Sequence, residues 1–328
     1  MKGGIPAIEG FDYQATVTLE IILNHFQSHP ASAEFSPEGR DDLDVNWVEN
    51  NGQKKRFHYQ FKKISNPSSN NPQIWSISDV ARELFPAAIR NISDSNTTQI
   101  WILGDSVAPG VRRLLISGLN SADQCRTDYL TLLHRLAKSQ TDCTKKSKHK
   151  ARLDQYTPEA QPASGILENI EDMLQVFSSR AVDIESAKIE EYKHAVRAFH
   201  QKLPEIISRI RALDNYGTEA EVAGRVIDKL EVDYHLNREV AHRTLFRNLR
   251  GFINDVAKEP GRTISRADFE FELASVWPQL IIIRNPPIID SRVVRRPDLV
   301  EEVVAAVSVR EVVGPSGVCC ASGQVGLF

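Results

Sequence analysis

Hydrophobic positions recur at helical spacing over residues 7 to 27, where Ile8, Phe11, Ala15, Leu19, Ile22, Leu23 and Phe26 share one face. Pro30 stops this helix, and a short strand is predicted around Ala33 to Phe35, before the polar SPEGR turn. The period then changes to two. DDLDVNWV puts Leu43, Val45 and Trp47 on one side and Asp42, Asp44 and Asn46 on the other. After the ENNGQ turn, RFHYQFKKI alternates again, with Phe57, Tyr59 and Phe61 opposite His58, Gln60 and Lys62, so the two segments read as a hairpin. SNPSSNNPQ is loop chemistry. Ser76 with Asp79 forms a capping box that opens a helix through SDVARELFPAAIRNI, with Pro86 as its kink. TQIWILGD, from about Thr98 to Asp105, is short and apolar, as a central strand covered on both faces would be. The order α-β-β-β-α-β predicts an α/β domain with a small mixed sheet between helices.

From about Ser164 onward the pattern is helical. One helix covers SGILENIEDMLQVFSS and a longer one DIESAKIEEYKHAVRAFHQKLPEIISRIRAL. Thr218 caps the next, helical segments continue through EVAGRVIDKL and NREVAHRTLFRNLRGFINDVAK, and Ser265 with Asp268 makes a second capping box before FEFELASVW. The expected organisation is an α/β domain over residues 1–150, an all-α connector over 160–300 and a distinct segment over 301–328.

Composition adds bounds. A chain of 328 residues, 41% hydrophobic and 25% charged, has material for about two domains. No apolar run is long enough to cross a bilayer and the N-terminus lacks a secretory signal, so a cytoplasmic protein with no membrane partner is expected. Cys125, Cys143, Cys319 and Cys320 match neither a disulfide framework nor zinc spacing and read as free thiols. The net charge of −3 gives no overall basic footprint for nucleic acid. Charge is local instead. Lys54, Lys55 and Arg56 enter one strand, Lys62 and Lys63 leave it, and Lys145, Lys146, Lys148, Lys150 and Arg152 form a run that reads as a solvated interdomain loop.

The hairpin carries the candidate chemistry. Asp44 on its first strand and the Q-x-K pair Gln60 and Lys62 on its second point to one face. Phosphodiester hydrolysis uses a divalent cation to polarise phosphate and acidify a water, and carboxylate and amide oxygens suit Mg²⁺. Asp44 and Gln60 can supply those oxygens, and the Lys62 ammonium can stabilise developing charge. His58 lies on the same face and reads as a rim residue, while Tyr13 and Gln14 read as residues that pin the first helix to the sheet.

GFDYQ on the first helix, DDLDV, and YQFKK on the paired strand together resemble the CD-NTase-associated double-stranded DNA endonuclease family, relatives of Mrr-type restriction nucleases. The resemblance covers about the first 110 residues. It implies a PD-(D/E)xK restriction-endonuclease-like fold, Asp44 as the essential metal-binding acid, Gln60 at the position of the second acid, and Lys62 as the catalytic lysine. It also implies Mg²⁺ or Mn²⁺ as cofactor. Glu20 on the first helix, or Asp42, is the further candidate ligand, and Lys54, Lys55 and Lys63 are candidate DNA contacts.

The C-terminal RRPDLVEEVVAAVSVREVVGPSGV reads as a helix, an apolar strand and the start of a phosphate-binding loop at Gly314. A P-loop ends in G-K-[ST], whereas the corresponding positions here are Cys319, Cys320 and Ala321, so no nucleotide site is expected. With the resemblance, this segment reads as the front of a STAND-type antiviral NTPase whose effector part is present and whose sensor and NTPase regions are missing or truncated; the alternative is an ordinary Gly/Ser-rich tail. The expected function is metal-dependent hydrolysis of double-stranded DNA, without a recognisable base-reading module and with oligomerisation on activation. The alternative is a non-catalytic helical scaffold whose sheet binds DNA or a partner.

Overall fold

The computed structural model describes residues 4–28, 33–49, 51–63, 74–92, 95–117, 122–140, 169–180, 184–233 and 241–280. The lysine run at 145–152, the 301–328 segment with its Gly314 loop, Pro30, Cys143, Cys319 and Cys320 lie outside these residues, as does the side chain of Cys125. The elements are α1 (Gly4–Ser28), β1 (Glu34–Pro37), β2 (Leu43–Val48), β3 (Lys54–Lys62), β4 (Ile74–Trp75), α2 (Ile77–Glu83), α3 (Phe85–Asn91), β5 (Thr97–Leu103), β6 (Ser106–Val107), α4 (Pro109–Ser117) and α5 (Ala122–Gln140). They continue with α6 (Ile170–Arg180), α7 (Ser186–Ser208), β7 (Ile210–Leu213), α8 (Glu219–Asp233), a π-helical turn (Ala241–Phe246), α9 (Arg247–Ala257), β8 (Ile264–Ser265) and α10 (Arg266–Leu280). This is a mixed α/β protein. The described residues fall into two compact units, within Met1–Phe35 with Glu221–Phe328, and within Ser36–Ala220.

In the Ser36–Ala220 unit the strand order is β7-β5-β3-β2. β2 and β3 pair antiparallel, with Asp44 opposite His58 and Val48 opposite Lys54. The connecting turn is closed by Gly52 N–H donating to Glu49 O at 2.8 Å, with Gly52 at φ +81°, a conformation glycine adopts without steric penalty. β5 pairs parallel to β3 and β7 parallel to β5. Ser76 caps α2 as its sequence predicts: its hydroxyl accepts from Asp79 N–H at 3.2 Å while the Asp79 carboxylate accepts from Ser76 N–H at 3.2 Å. The helix expected to kink at Pro86 is instead divided into α2 and α3, with Pro86 in the first turn of α3, where its missing N–H costs nothing. The core joins Trp101, Leu103 and Ile210 on the sheet to Val80, Leu84 and Phe85 of α2 and α3, Leu132, Leu133 and Leu136 of α5, and Tyr192, Val196 and Leu203 of α7.

One expectation changes here. The long helix read through Leu213 ends at Ser208, and Ile210–Leu213 is β7, so the region expected to be all helical contributes a strand. The reason is the open edge of β5, whose backbone needs partners: Gln99 N–H donates to Arg209 O at 3.0 Å and the ladder continues to Leu213. The polar face of the hairpin is buried, with His58 0% exposed and Asp44 and Gln60 8%, and Gln99 on the neighbouring β5 is 0% exposed as well.

In the other unit, α1 buries Ala15, Leu19, Ile22 and Leu23 as expected, and also Val17 and Ile21, so burial extends round the helix and not along one stripe. Phe11, assigned to that stripe, is exposed. Phe26 stacks edge-on against Phe35 and Phe269, tying α1 to β1 and α10. Glu34 and Phe35 pair antiparallel with Ser265 and Ile264 of β8, and the Ser265–Asp268 capping box opens α10. Among the described residues no helix is long and apolar enough to cross a membrane.

Candidate active site

The β2–β3 register places Asp44, His58, Gln60 and Lys62 on one side of the sheet, and the parallel pairing with β5 aligns Gln99, Trp101 and Leu103 beside His58, Gln60 and Lys62. Asp44 is held at both oxygens. Oδ1 accepts from His58 Nδ1 at 2.5 Å and Oδ2 from Arg40 N–H at 2.9 Å. A carboxylate only accepts, so the Nδ1 nitrogen carries the hydrogen. Among the described residues His58 Nε2 is buried without a hydrogen-bond partner, and so is Gln60 Oε1, while Gln60 Nε2 reaches Glu83 O at 3.5 Å. Lys62 is half-buried at the end of β3.

A second layer surrounds these groups. Asp41 Oδ2 accepts from Gln99 Nε2 at 2.5 Å and from Asn91 Nδ2 at 3.4 Å, and Asn91 also donates to Gln99 Oε1 at 3.2 Å. Burial pushes the Asp41 carboxyl up to about 6. The nearby carboxylates of Asp42 and Asp44 add to this, while the Gln99 hydrogen bond and His58 oppose it. Asp42 Oδ2 accepts from Phe61 N–H at 2.6 Å, a bond that ties the approach to β2 onto β3.

Of the residues singled out by sequence, Asp44, Gln60 and Lys62 share one side of the sheet, and Asp42 lies just before β2 in the same hairpin. Lys54 and Lys62 stand at opposite ends of β3, roughly 26 Å apart at about 3.3 Å per residue, Lys55 projects from the other face, and Lys63 lies just beyond the strand. Glu20 belongs to the other unit, where both its oxygens accept from Arg225, at 2.7 and 3.0 Å. His58 is corrected from rim residue to the fully buried centre of the cluster. Its signal was present in the hairpin, since pairing about the ENNGQ turn sets it opposite Asp44. Asp41 and Gln99 were missed. A lone glutamine inside the apolar TTQIWIL strand was the available sign of a buried polar network.

The arrangement fits a hard divalent cation in donor type. Gln60 Oε1 is an orphaned buried oxygen, and each Asp44 oxygen keeps a second lone pair beyond the bond it already accepts. Among the described residues no group of three or more His, Cys, Asp or Glu is placed to hold a metal ion, so two protein oxygens and waters would make the set, as Mg²⁺ tolerates.

No protein-family model and no curated protein matches the chain. Among solved structures it is similar to the Moraxella osloensis Cap4 SAVED/CARF-domain containing receptor, with a TM-score of 0.41 and 14% identity over 82% of this chain and 48% of that one. The chain thus spans about half the length of that receptor.

Proposed function

We propose that this chain is a metal-dependent endonuclease that hydrolyses phosphodiester bonds of double-stranded DNA, with Asp44 and Gln60 as metal-holding residues and Lys62 as the catalytic lysine. One observation carries the reading: Gln60 presents a buried, unbonded amide oxygen on the same sheet face as Asp44, with Lys62 next along the strand. Mg²⁺ or Mn²⁺, when bound, supplies Lewis acidity toward phosphate and a more acidic water. Lys62 places a positive charge where negative charge develops on the phosphate in the transition state. Action as the effector of a bacterial antiviral system, switched on by oligomerisation, belongs to the same proposal and rests on the sequence resemblance.

A second reading has its own support. Both Asp44 oxygens already accept hydrogen bonds, as a purely structural polar network would require, and the chain would then be a non-catalytic scaffold binding DNA or a partner. Supercoiled plasmid decides between them. The nuclease cuts with Mg²⁺, not with EDTA, and not after Lys62→Ala. A scaffold cuts under none of these conditions, even when forced to oligomerise.

A further inference from the structure

We infer that His58 is the positioning residue of this site: it sets the orientation in which Asp44 meets a divalent cation. The inference rests on the proposed nuclease reading and adds to it a residue outside the D, Q and K set.

The geometry is specific to this pair. His58 sits directly across the ladder from Asp44, and its Nδ1 donates to Oδ1 at 2.5 Å. The ring is 0% exposed, so bulk solvent does not compete for that bond. With Arg40 N–H on Oδ2, the carboxylate plane is fixed at two points, and the lone pairs left over are the ones that remain for a ligand. A ligating carboxylate is oriented by the hydrogen bonds it accepts, and removing such a partner typically weakens metal binding about 10–100-fold. Gly39 lies against the same carboxylate, since a Cβ at that position would stand 2.6 Å from Oδ2, so any side chain there would displace it.

The test compares two amide substitutions in the full chain, with Mn²⁺ binding followed by electron paramagnetic resonance and folding by circular dichroism. Asparagine carries a donor near the place of Nδ1, whereas glutamine carries it near the place of Nε2. His58→Asn is expected to bind Mn²⁺ within about threefold of the parent protein and His58→Gln at least about tenfold more weakly, with the same difference in the Mn²⁺ concentration that gives half-maximal plasmid cleavage. A merely structural histidine would lower the folded fraction in both variants and leave the Mn²⁺ affinity of the folded molecules unchanged. Equal Mn²⁺ affinity in the Asn and Gln variants overturns the positioning role while leaving the nuclease reading intact. A parent protein that binds no Mn²⁺ and cuts no DNA overturns the nuclease reading, and the positioning role with it.

Discussion

Gly39 and Asp44 pack so closely that a methyl group on Gly39 would stand 2.6 Å from Oδ2 and 2.8 Å from Cγ of Asp44. The carboxylate cannot yield cheaply, because it is buried and bonded to His58 and Arg40. Gly39→Ala is therefore expected to displace Asp44, abolish plasmid cleavage and destabilise the fold by about 1–3 kcal/mol, the usual range for an overpacked site. Gly52→Ala is the control. Its positive φ costs about 1 kcal/mol or more in the hairpin turn, but nothing lies near its Cβ, and Mn²⁺ affinity should be unchanged. If Gly39→Ala cuts like the parent protein, Asp44 is not the metal-holding acid.

Asp41 gives a pH dependence whose sign follows from its raised pKa. Its carboxyl is pushed from 3.8 to about 6 by burial, so the folded state binds more protons than the unfolded state between those values. Stability from this group is present below about pH 4 and is lost as pH rises through 6. Asp41→Asn removes the charge and keeps an oxygen for Gln99 to donate to. In EDTA, its melting temperature should exceed that of the parent protein at pH 8 and fall level with it at pH 4. The difference should be on the order of 1–2 kcal/mol at the higher pH, after allowance for the partial solvent exposure of the group. A constant gap across that range would remove burial as the cause.

The outline of this site was legible because period-two alternation and one capping box place β2, β3 and α2 without reference to the rest of the chain. Asp44, Gln60 and Lys62 follow from that register. What alternation does not encode is which faces are covered. Val80, Leu84 and Phe85 pack over the side that carries Trp101 and Leu103, so the polar row beside them is buried too, and His58 moves from rim to centre. β7 was unreadable for a related reason. Ile-Arg-Ala-Leu has no strong strand pattern, and it is extended because the edge of β5 offers it a ladder.

Glu20 is the residue for which sequence and structure suggest different experiments. It is 7% exposed, and both its oxygens are taken by the half-exposed Arg225. Arg225→Ala leaves a buried carboxylate without its bidentate partner and is expected to cost about 1–3 kcal/mol. Glu20→Gln should cost less, since it removes the buried charge along with the pair. Denaturant titration of the two variants separates them. A large loss of Mn²⁺ affinity in Glu20→Gln, with little change in stability, would instead mark Glu20 as a metal ligand.

Gln60→Glu tests the metal site from the opposite direction, by adding what the position lacks. The glutamine amide gives up little, since among the described residues its nitrogen hydrogen-bonds to Glu83 O alone, at 3.5 Å, and its oxygen accepts no hydrogen bond. A carboxylate there is costly without metal, because position 60 is 8% exposed on the face that already carries Asp44. A divalent cation reverses that balance by neutralising two acids where it previously met one. In EDTA the variant should therefore melt below the parent protein, and with Mn²⁺ it should gain more than the parent does. Affinity tightened tenfold corresponds to about 1.4 kcal/mol of added stabilisation at saturating metal. Differential scanning fluorimetry with and without Mn²⁺ reads both effects in one experiment. A variant destabilised equally in both conditions would show that no cation reaches position 60, and the buried amide oxygen would then belong to the structural network alone.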